Sequence, residues 1–319
     1  MFIIFAKKRI MQVHKGYEDL DLKNPVVTLG VFDGVHRGHR TVIDRLLLRA
    51  RQLGGESIVI SFFPHPRQVL KRKADNFGLL TSLEEKTSLL EETGIDHLVI
   101  IEFNRDFSNK TACSFVEDIL LKKIGTRNLI VGFNNHFGKR GEGNFETIRS
   151  CAEDHDFYLE QVEALNSEFG IISSSAIRKA LMSGELEKAN HQLGYDYFLH
   201  GSVIRGRKLG RELGYPTANI MLADKNKLLP KDGVYAVELL IEDEKYKGVL
   251  SIGLNPTVNS GPAPRSIEVH IFGFNRDIYG KELCIIFRFR LRDELYFDTL
   301  EGLKVQIEED RIEAIKLLG

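Results

Sequence analysis

Apolar and polar positions change their rhythm part-way along the chain. In the first half, short apolar runs alternate with longer stretches in which apolar residues recur every three or four positions. Residues 26–31 form one such run and stop at the turn Phe32-Asp33-Gly34. Val42, Ile43, Leu46, Leu47, Ala50 and Leu53 then follow at helical spacing, and Gly54-Gly55 closes the helix. Strand-like runs return at 58–63, 98–103, 129–131 and 157–162, with amphipathic stretches near 83–93, 112–124 and 144–155 between them. Strands alternating with helices of ten or more residues predict a parallel sheet with both faces covered.

Beyond about residue 195 the pattern becomes one of strands separated by Gly, Pro and Asn turns, near 198–204, 233–242, 245–254, 266–274 and 282–291. Only the tail, 299–317, has helical spacing, with Leu300, Leu303, Ile307, Ile312 and Ile315 as its expected buried face. The chain therefore divides into a Rossmann-like α/β domain over 1–183, a helical connector over 184–196, and an antiparallel β-barrel with a C-terminal helix over 197–319. A length of 319 residues suits two such cores.

Composition narrows the function classes. A formal net charge of -1 gives no general attraction to nucleic acid or to an anionic membrane, so neither is expected as a partner. Cys113, Cys151 and Cys284 form no CxxC pair, and the expectation is three buried thiols in a reducing compartment. The chain starts apolar and turns basic at Lys7-Lys8-Arg9, the reverse of a secretory signal. No apolar run reaches the ~20 residues that span a bilayer. These features predict a cytoplasmic protein.

Candidate chemistry begins where the first strand meets the first long helix, at Gly30-Val31-Phe32-Asp33-Gly34-Val35-His36-Arg37-Gly38-His39. In an open parallel sheet, ligands collect at that edge, and a helix N-terminus suits a phosphate. His36 and His39 lie three apart and can point the same way, donating to phosphate oxygens. Packing or surface histidines, or a metal pair, remain alternatives at this point. A second cluster, Ser173-Ser174-Ser175 followed by Arg178, reads either as helix capping or as a second phosphate pocket.

In the second half, residues 201–219 carry a Gly- and Arg-rich loop, including Gly206, Gly210 and Arg211, and end in Pro216-Thr217-Ala218-Asn219. In an extended segment Thr217 and Asn219 face one side, and a hydroxyl with an amide carbonyl suits Mg²⁺ already held by nucleotide phosphates. A turn leading into a strand is the plainer alternative.

The first half resembles the adenylyltransferase domain of the bacterial bifunctional riboflavin kinase/FMN adenylyltransferases. The matching pieces are LGVFDGVHRGH, FFPHPRQVL, VGFNNHFGKRGEGN and ISSSAIR. The second half resembles riboflavin kinase through GSVIRGRKLGRELGYPTAN, DGVYAV, GVLSIGLNPTV, SIEVHIFGF, DIYGKEL and LRDELYF. The resemblance implies FAD synthesis in two steps. ATP would phosphorylate riboflavin to FMN with release of ADP, and a second ATP would adenylate FMN to FAD with release of pyrophosphate, both with Mg²⁺. It further implies that Gly30, Phe32, Asp33, Gly34, His36, Gly38, His39, Asn134, Ser174 and Arg178 serve ATP and FMN. Gly206, Gly210, Arg211, Pro216, Thr217, Asn219, Arg292 and Glu294 would serve ATP and riboflavin, with Glu268 as catalytic base. The chain departs from the family pattern at Asn134-Asn135, where many relatives carry Asp then Phe, and at Gly273, where an acidic residue is common. Activity of one domain alone, or flavin binding without turnover, are the alternatives those departures raise. Phe62, Phe63 and His65 read as wall residues of the site or as sheet core, with core as the expectation.

Overall fold

The computed structural model describes residues 10–18, 20–70, 77–153, 155–206, 214–254 and 265–319. The N-terminal stretch 1–9 and the loop residues Gly210 and Arg211 lie outside them. The chain divides into two compact units, residues 1–174 and 175–319.

The first unit is organised about a central strand. Its strands are β1 (Gln12–Lys15), β2 (Val26–Leu29), β3 (Ser57–Phe63), β4 (His97–Glu102), β5 (Asn128–Gly132) and β6 (Tyr158–Val162). They pair in the order β1-β4-β3-β2-β5-β6, parallel throughout. Growth runs from β2 through β3 to β4 on one side and then restarts through β5 to β6 on the other. The reversal therefore falls at β2, which is buried at all four positions. Helix α1 (Arg37–Leu53) lies against β2, β3 and β5 through Val42, Ile43, Leu46 and Ala50, and ends at Gly54 in the left-handed conformation. Two shorter helices follow, α2 (Pro66–Leu70) and α3 (Leu83–Glu91), the latter opened by a capping box between Ser82 and Glu85. Helix α4 starts at Ala112–Ser114 and continues in wider π turns over Phe115–Lys123. Its Phe115, Val116, Ile119 and Leu120 join Val27, Leu29, Ile58 and Ile60 in one core.

Helix α5 (Phe145–Cys151) precedes β6, and a small hairpin, β7 (Asn166–Ser167) with β8 (Gly170–Ile171), leads to α6 (Ser174–Ser183). Cys113 at the start of α4 and Cys151 at the end of α5 form a disulfide, their Cα atoms 5.3 Å apart. This corrects the expectation of three thiols, since helices packed side by side bring together cysteines that no sequence spacing links. Cys284 is free and half-buried. Phe62 is core, clustered with Phe103, Phe107 and Phe115, whereas Phe63 is 37% exposed. His65 lies against the Phe77 ring.

The second unit carries α7 (Leu186–Leu193) and a closed antiparallel barrel of β9 (Phe198–Ile204), β10 (Ala218–Leu222), β11 (Gly233–Ile241), β12 (Glu244–Leu254), β13 (Arg265–Ile271) and β14 (Glu282–Arg292). Its order is β10-β13-β12-β11-β14-β9, with β9 closing on β10. Helices α6 and α7 dock on the barrel by hydrogen bonds. Lys231 N donates to Leu181 O, and Asn190 Nδ2 donates to Phe287 O. Helix α8 (Leu300–Leu318), capped by Thr299, lies on β11, β12 and β14. Its covered face runs through Leu303, Ile307, Asp310 and Ala314. Leu300, Ile312 and Ile315, expected there, are 61%, 57% and 42% exposed. The expected stripe excluded Asp310 because it is charged, but Arg292 meets that charge from β14.

Candidate active sites

The first site lies at the C-terminal end of β2, where the strand order reverses and open α/β sheets bind ligands. The chain leaves β2 through a turn that ordinary residues adopt only at a cost. Phe32, Gly34 and Val35 have φ of 52°, 84° and 34°. Positive φ at Val35 is costly because its side chain branches at Cβ, and the turn is held by what surrounds it. The buried Asp33 carboxylate accepts from Leu80 N at 3.1 Å, Thr81 N at 3.0 Å and Thr81 Oγ1 at 3.2 Å. Gly34 N donates to Thr81 Oγ1, and Ser174 Oγ donates 2.9 Å to the carbonyl of Asp33.

His36 caps α1, its Nδ1 accepting from His39 N at 3.3 Å. A neutral His36 with Nδ1 as acceptor carries its proton on Nε2, the tautomer able to donate to a phosphate oxygen. The two imidazoles stack at 3.6 Å between centroids, 16° from parallel. A Cβ at Gly38 would press on the His36 ring at 3.3 Å, so glycine there keeps the stack. Gly30 lies under the Phe32 ring in the same way. Sequence reasoning thus found the histidines and glycines that the structure brings together.

It missed the group below them. Lys86, on α3, is 6% exposed, and its Nζ donates to Ser61 Oγ at 2.8 Å and to Val31 O at 3.2 Å. Burial pulls its ammonium down to about 8, against the pull of the Asp33 carboxylate. Its spacing from Leu83, Leu89 and Leu90 put it on the apolar face of α3, but a lysine reads as solvated by default.

Two other expected residues, Asn134 and Arg178, stand in different settings. Asn134 is exposed in the turn after β5, whereas Asn135 is half-buried and its Nδ2 finds no hydrogen-bond partner among the described residues. Arg178 is buried on α6, one turn beyond Ser174, and belongs to the second unit.

The second site is a patch on the outer face of the barrel. Ile267, Val269 and Ile271 point inward, so Glu268 points out. Glu268 is paired directly with Asn219 of β10 on one side and Ser251 of β12 on the other. Thr217 Oγ1 donates to Glu268 Oε2 at 3.2 Å. Gly206 backs the Asn219 amide, since a Cβ there would fall 2.1 Å from Nδ2. Thr217, Asn219, Gly206 and Glu268 are therefore brought together from the segment after β9, the start of β10 and β13. Strand β10 follows the proline-bearing turn, as the plainer reading of residues 216–219 has it.

Two supports come from α8. Tyr215 OH donates 2.8 Å to Glu308 Oε2, its ring meets His270 edge-on, and His270 Nδ1 lies 2.9 Å from Pro216 O. Arg311 and the Tyr215 hydroxyl hold the Glu308 carboxyl down to about 2. Arg292 makes a two-pronged bond to buried Asp310, at 2.8 and 2.7 Å. Glu294 reaches over Gly253, where a Cβ would fall 1.5 Å from Oε1, so its carboxylate fills space that only glycine leaves. Gly273, at φ 63°, takes the left-handed turn after β13, and a Cβ there would meet nothing within 4 Å. Among the described residues, no group of three or more His, Cys, Asp and Glu side chains is placed to hold a metal ion.

The profile of the FAD synthetase family matches residues 19–176 and that of riboflavin kinase matches residues 193–318. The bifunctional riboflavin kinase/FMN adenylyltransferase of Listeria monocytogenes is 40% identical over 90% of both chains. The chain belongs to the bifunctional riboflavin kinase/FMN adenylyltransferase family. The Bacillus subtilis member is 38% identical over 91% of this chain and 92% of its own, and the Escherichia coli K12 member 36% identical over 92% and 93%. A crystal structure described as a macrolide-efflux protein of Streptococcus pneumoniae superposes with TM-score 0.84 and 30% identity, covering 95% of this chain and 98% of its own. Efflux is not carried over with that likeness, and no described helix here is long and apolar enough to cross a membrane.

Proposed function

We propose that the second unit phosphorylates riboflavin and the first converts the product, FMN, to FAD. The observation that carries the kinase half is the convergence of Thr217, Asn219 and Glu268 on one outward patch of the barrel. Glu268 takes the proton from the ribityl 5′-hydroxyl as that oxygen bonds to the γ-phosphorus of ATP and the bond to the ADP oxygen breaks. The Thr217 hydroxyl and the Asn219 amide oxygen are hard donors, too few to hold a cation alone but fitted to complete the shell of one carried by ATP. Mg²⁺ of that kind supplies charge neutralisation on the phosphates.

In the first unit no protein nucleophile is required. A phosphate oxygen of FMN bonds to the α-phosphorus of ATP and pyrophosphate leaves. The work of the protein is alignment, with His36 and His39 donating to phosphate oxygens at the mouth of α1 and the helix dipole favouring their negative charge. Ser174, tied to the turn through Asp33 O, lies at the start of α6 beside it.

A chromatographic time course of the full-length protein with riboflavin, ATP and Mg²⁺ tests the reading. FMN that appears and then gives way to FAD is expected. FMN accumulating alone would remove the adenylyl-transfer half, and unconverted riboflavin would remove the kinase half.

A further inference from the structure

Lys86 belongs to a helix that supplies no group to either reaction above, yet it is buried beneath the turn that carries the histidines. Its Nζ donates to Ser61 Oγ and to the carbonyl of Val31, and Ser61 Oγ donates to the same carbonyl at 3.1 Å. Two residues on, the Asp33 carboxylate is gripped by Leu80 and Thr81. The turn is thus held at two points, at the Val31 carbonyl just before its strained section and at Asp33 within it. Between and just beyond these points lie the positive φ angles of Phe32, Gly34 and Val35. His36, whose Nδ1 caps α1, follows immediately.

The charge on Lys86 matters as well as its reach. Asp33, from the turn, is the carboxylate that acts on it, and Ser61, from β3, faces it as a neutral acceptor. Glu85, its neighbour on α3, is turned back to the Ser82 amide in the capping box. An ammonium in this setting polarises the Val31 carbonyl and balances Asp33, which a neutral amine does only weakly.

We propose that Lys86 is a positioning residue of the adenylyl-transfer site, holding the Val31–His36 turn in the conformation that presents His36 and His39 to phosphate. The proposal rests on the adenylyl-transfer reading given above. It makes the apolar face of α3 part of the working apparatus, although no atom of that helix need touch substrate.

The test uses the full-length protein and measures FAD formation from FMN and ATP alongside FMN formation from riboflavin, across pH 6.5 to 9.5. In the wild type, FAD formation is expected to fall as pH rises through about 8, where the buried ammonium loses its proton. Lys86→Met is expected to lower FAD formation at least tenfold, through kcat more than KM, to leave FMN formation within about twofold, and to lack that alkaline limb. Ser61→Ala keeps the amine and removes one acceptor of the charged form, so it should move the limb to lower pH. Lys86→Met with FAD formation within twofold of wild type, or with the limb intact, overturns the proposal. Should that variant fail to fold, an unmoved limb in Ser61→Ala overturns it equally. Failure of the underlying reading looks different, as a wild type that makes no FAD from FMN at any pH, and the proposal then falls with it.

Discussion

Thr217 and Glu268 are 51 positions apart in the chain, yet the threonine hydroxyl donates to the glutamate carboxylate across 3.2 Å on the outside of the barrel. The bond exists because β10 and β13 are neighbours, with Asn219 opposite Glu268. It turns the carboxylate toward the segment that would receive the phosphates, and a carboxylate already accepting a hydrogen bond there is aimed as a base. Replacing Glu268 with Gln keeps the shape and removes the basicity. FMN formation by Glu268→Gln should fall on the order of 10²- to 10⁴-fold, the span of general-base contributions. Supplied FMN should still be adenylated. Steady-state rates of the two half-reactions check both statements, and undiminished phosphorylation would remove Glu268 from its role.

The complementary change is His39→Ala. The imidazole stacks on His36 and stands at the open end of α1. Losing one preorganised donor to a developing charge costs about 10²- to 10³-fold in rate. FAD formation should drop by that order while riboflavin phosphorylation stays near wild type. An equal loss of both activities in a folded variant would mean that the two half-reactions are not divided as argued.

What was legible in the sequence followed from apolar burial. The parallel sheet, the barrel and the switch-point turn all announce themselves through runs of Val, Ile and Leu bounded by Gly and Asp. What was not legible involved polar groups buried against distant partners. Asp310 reads as a solvent-facing residue of α8 until Arg292 arrives from β14. Lys86 reads the same way until Ser61 and Val31 close over it. Strand β1 is mostly polar and finds its place only by pairing with β4. The Cys113–Cys151 bond depends on how α4 and α5 pack, which no local spacing encodes.

Tyr215→Phe removes one oxygen and leaves the ring on His270. The change removes the hydroxyl's bond to the Glu308 carboxylate, which ties this segment to α8. Because Tyr215 immediately precedes Pro216 and Thr217, the effect should be a several-fold rise in the KM for Mg-ATP in FMN formation, with kcat changed less. A titration of rate against Mg-ATP checks this, and an unchanged KM would make the contact with α8 irrelevant to the site.

The Arg292–Asp310 pair supports a stability prediction. Asp310 is buried and Arg292 mostly so, and cutting a buried pair strands the remaining charge. Asp310→Ala should destabilise the second unit by on the order of 3 kcal/mol, read as a lowered denaturant midpoint with FMN formation falling in step. A change under about 0.5 kcal/mol, the size of an ordinary surface substitution, would show that the pair is effectively solvated.

Lys86 also sets a pH dependence of stability, with a sign opposite to that of a salt-bridged lysine. Its folded value is near 8 and its ordinary value 10.5, so between those pH values the unfolded chain binds more protons than the folded one. Stability therefore rises with pH across that window as the buried charge is shed. Below about 8 both states are protonated and the full cost of burying the ammonium is present, about 3 kcal/mol for a shift of this size. Lys86→Met lacks this slope. Denaturant unfolding of wild type and variant at pH 7 and pH 10 gives the difference directly. The stability of wild type relative to the variant should improve by up to about 3 kcal/mol between the two conditions. A difference that does not change with pH would mean that Lys86 is neutral, or freely solvated, throughout.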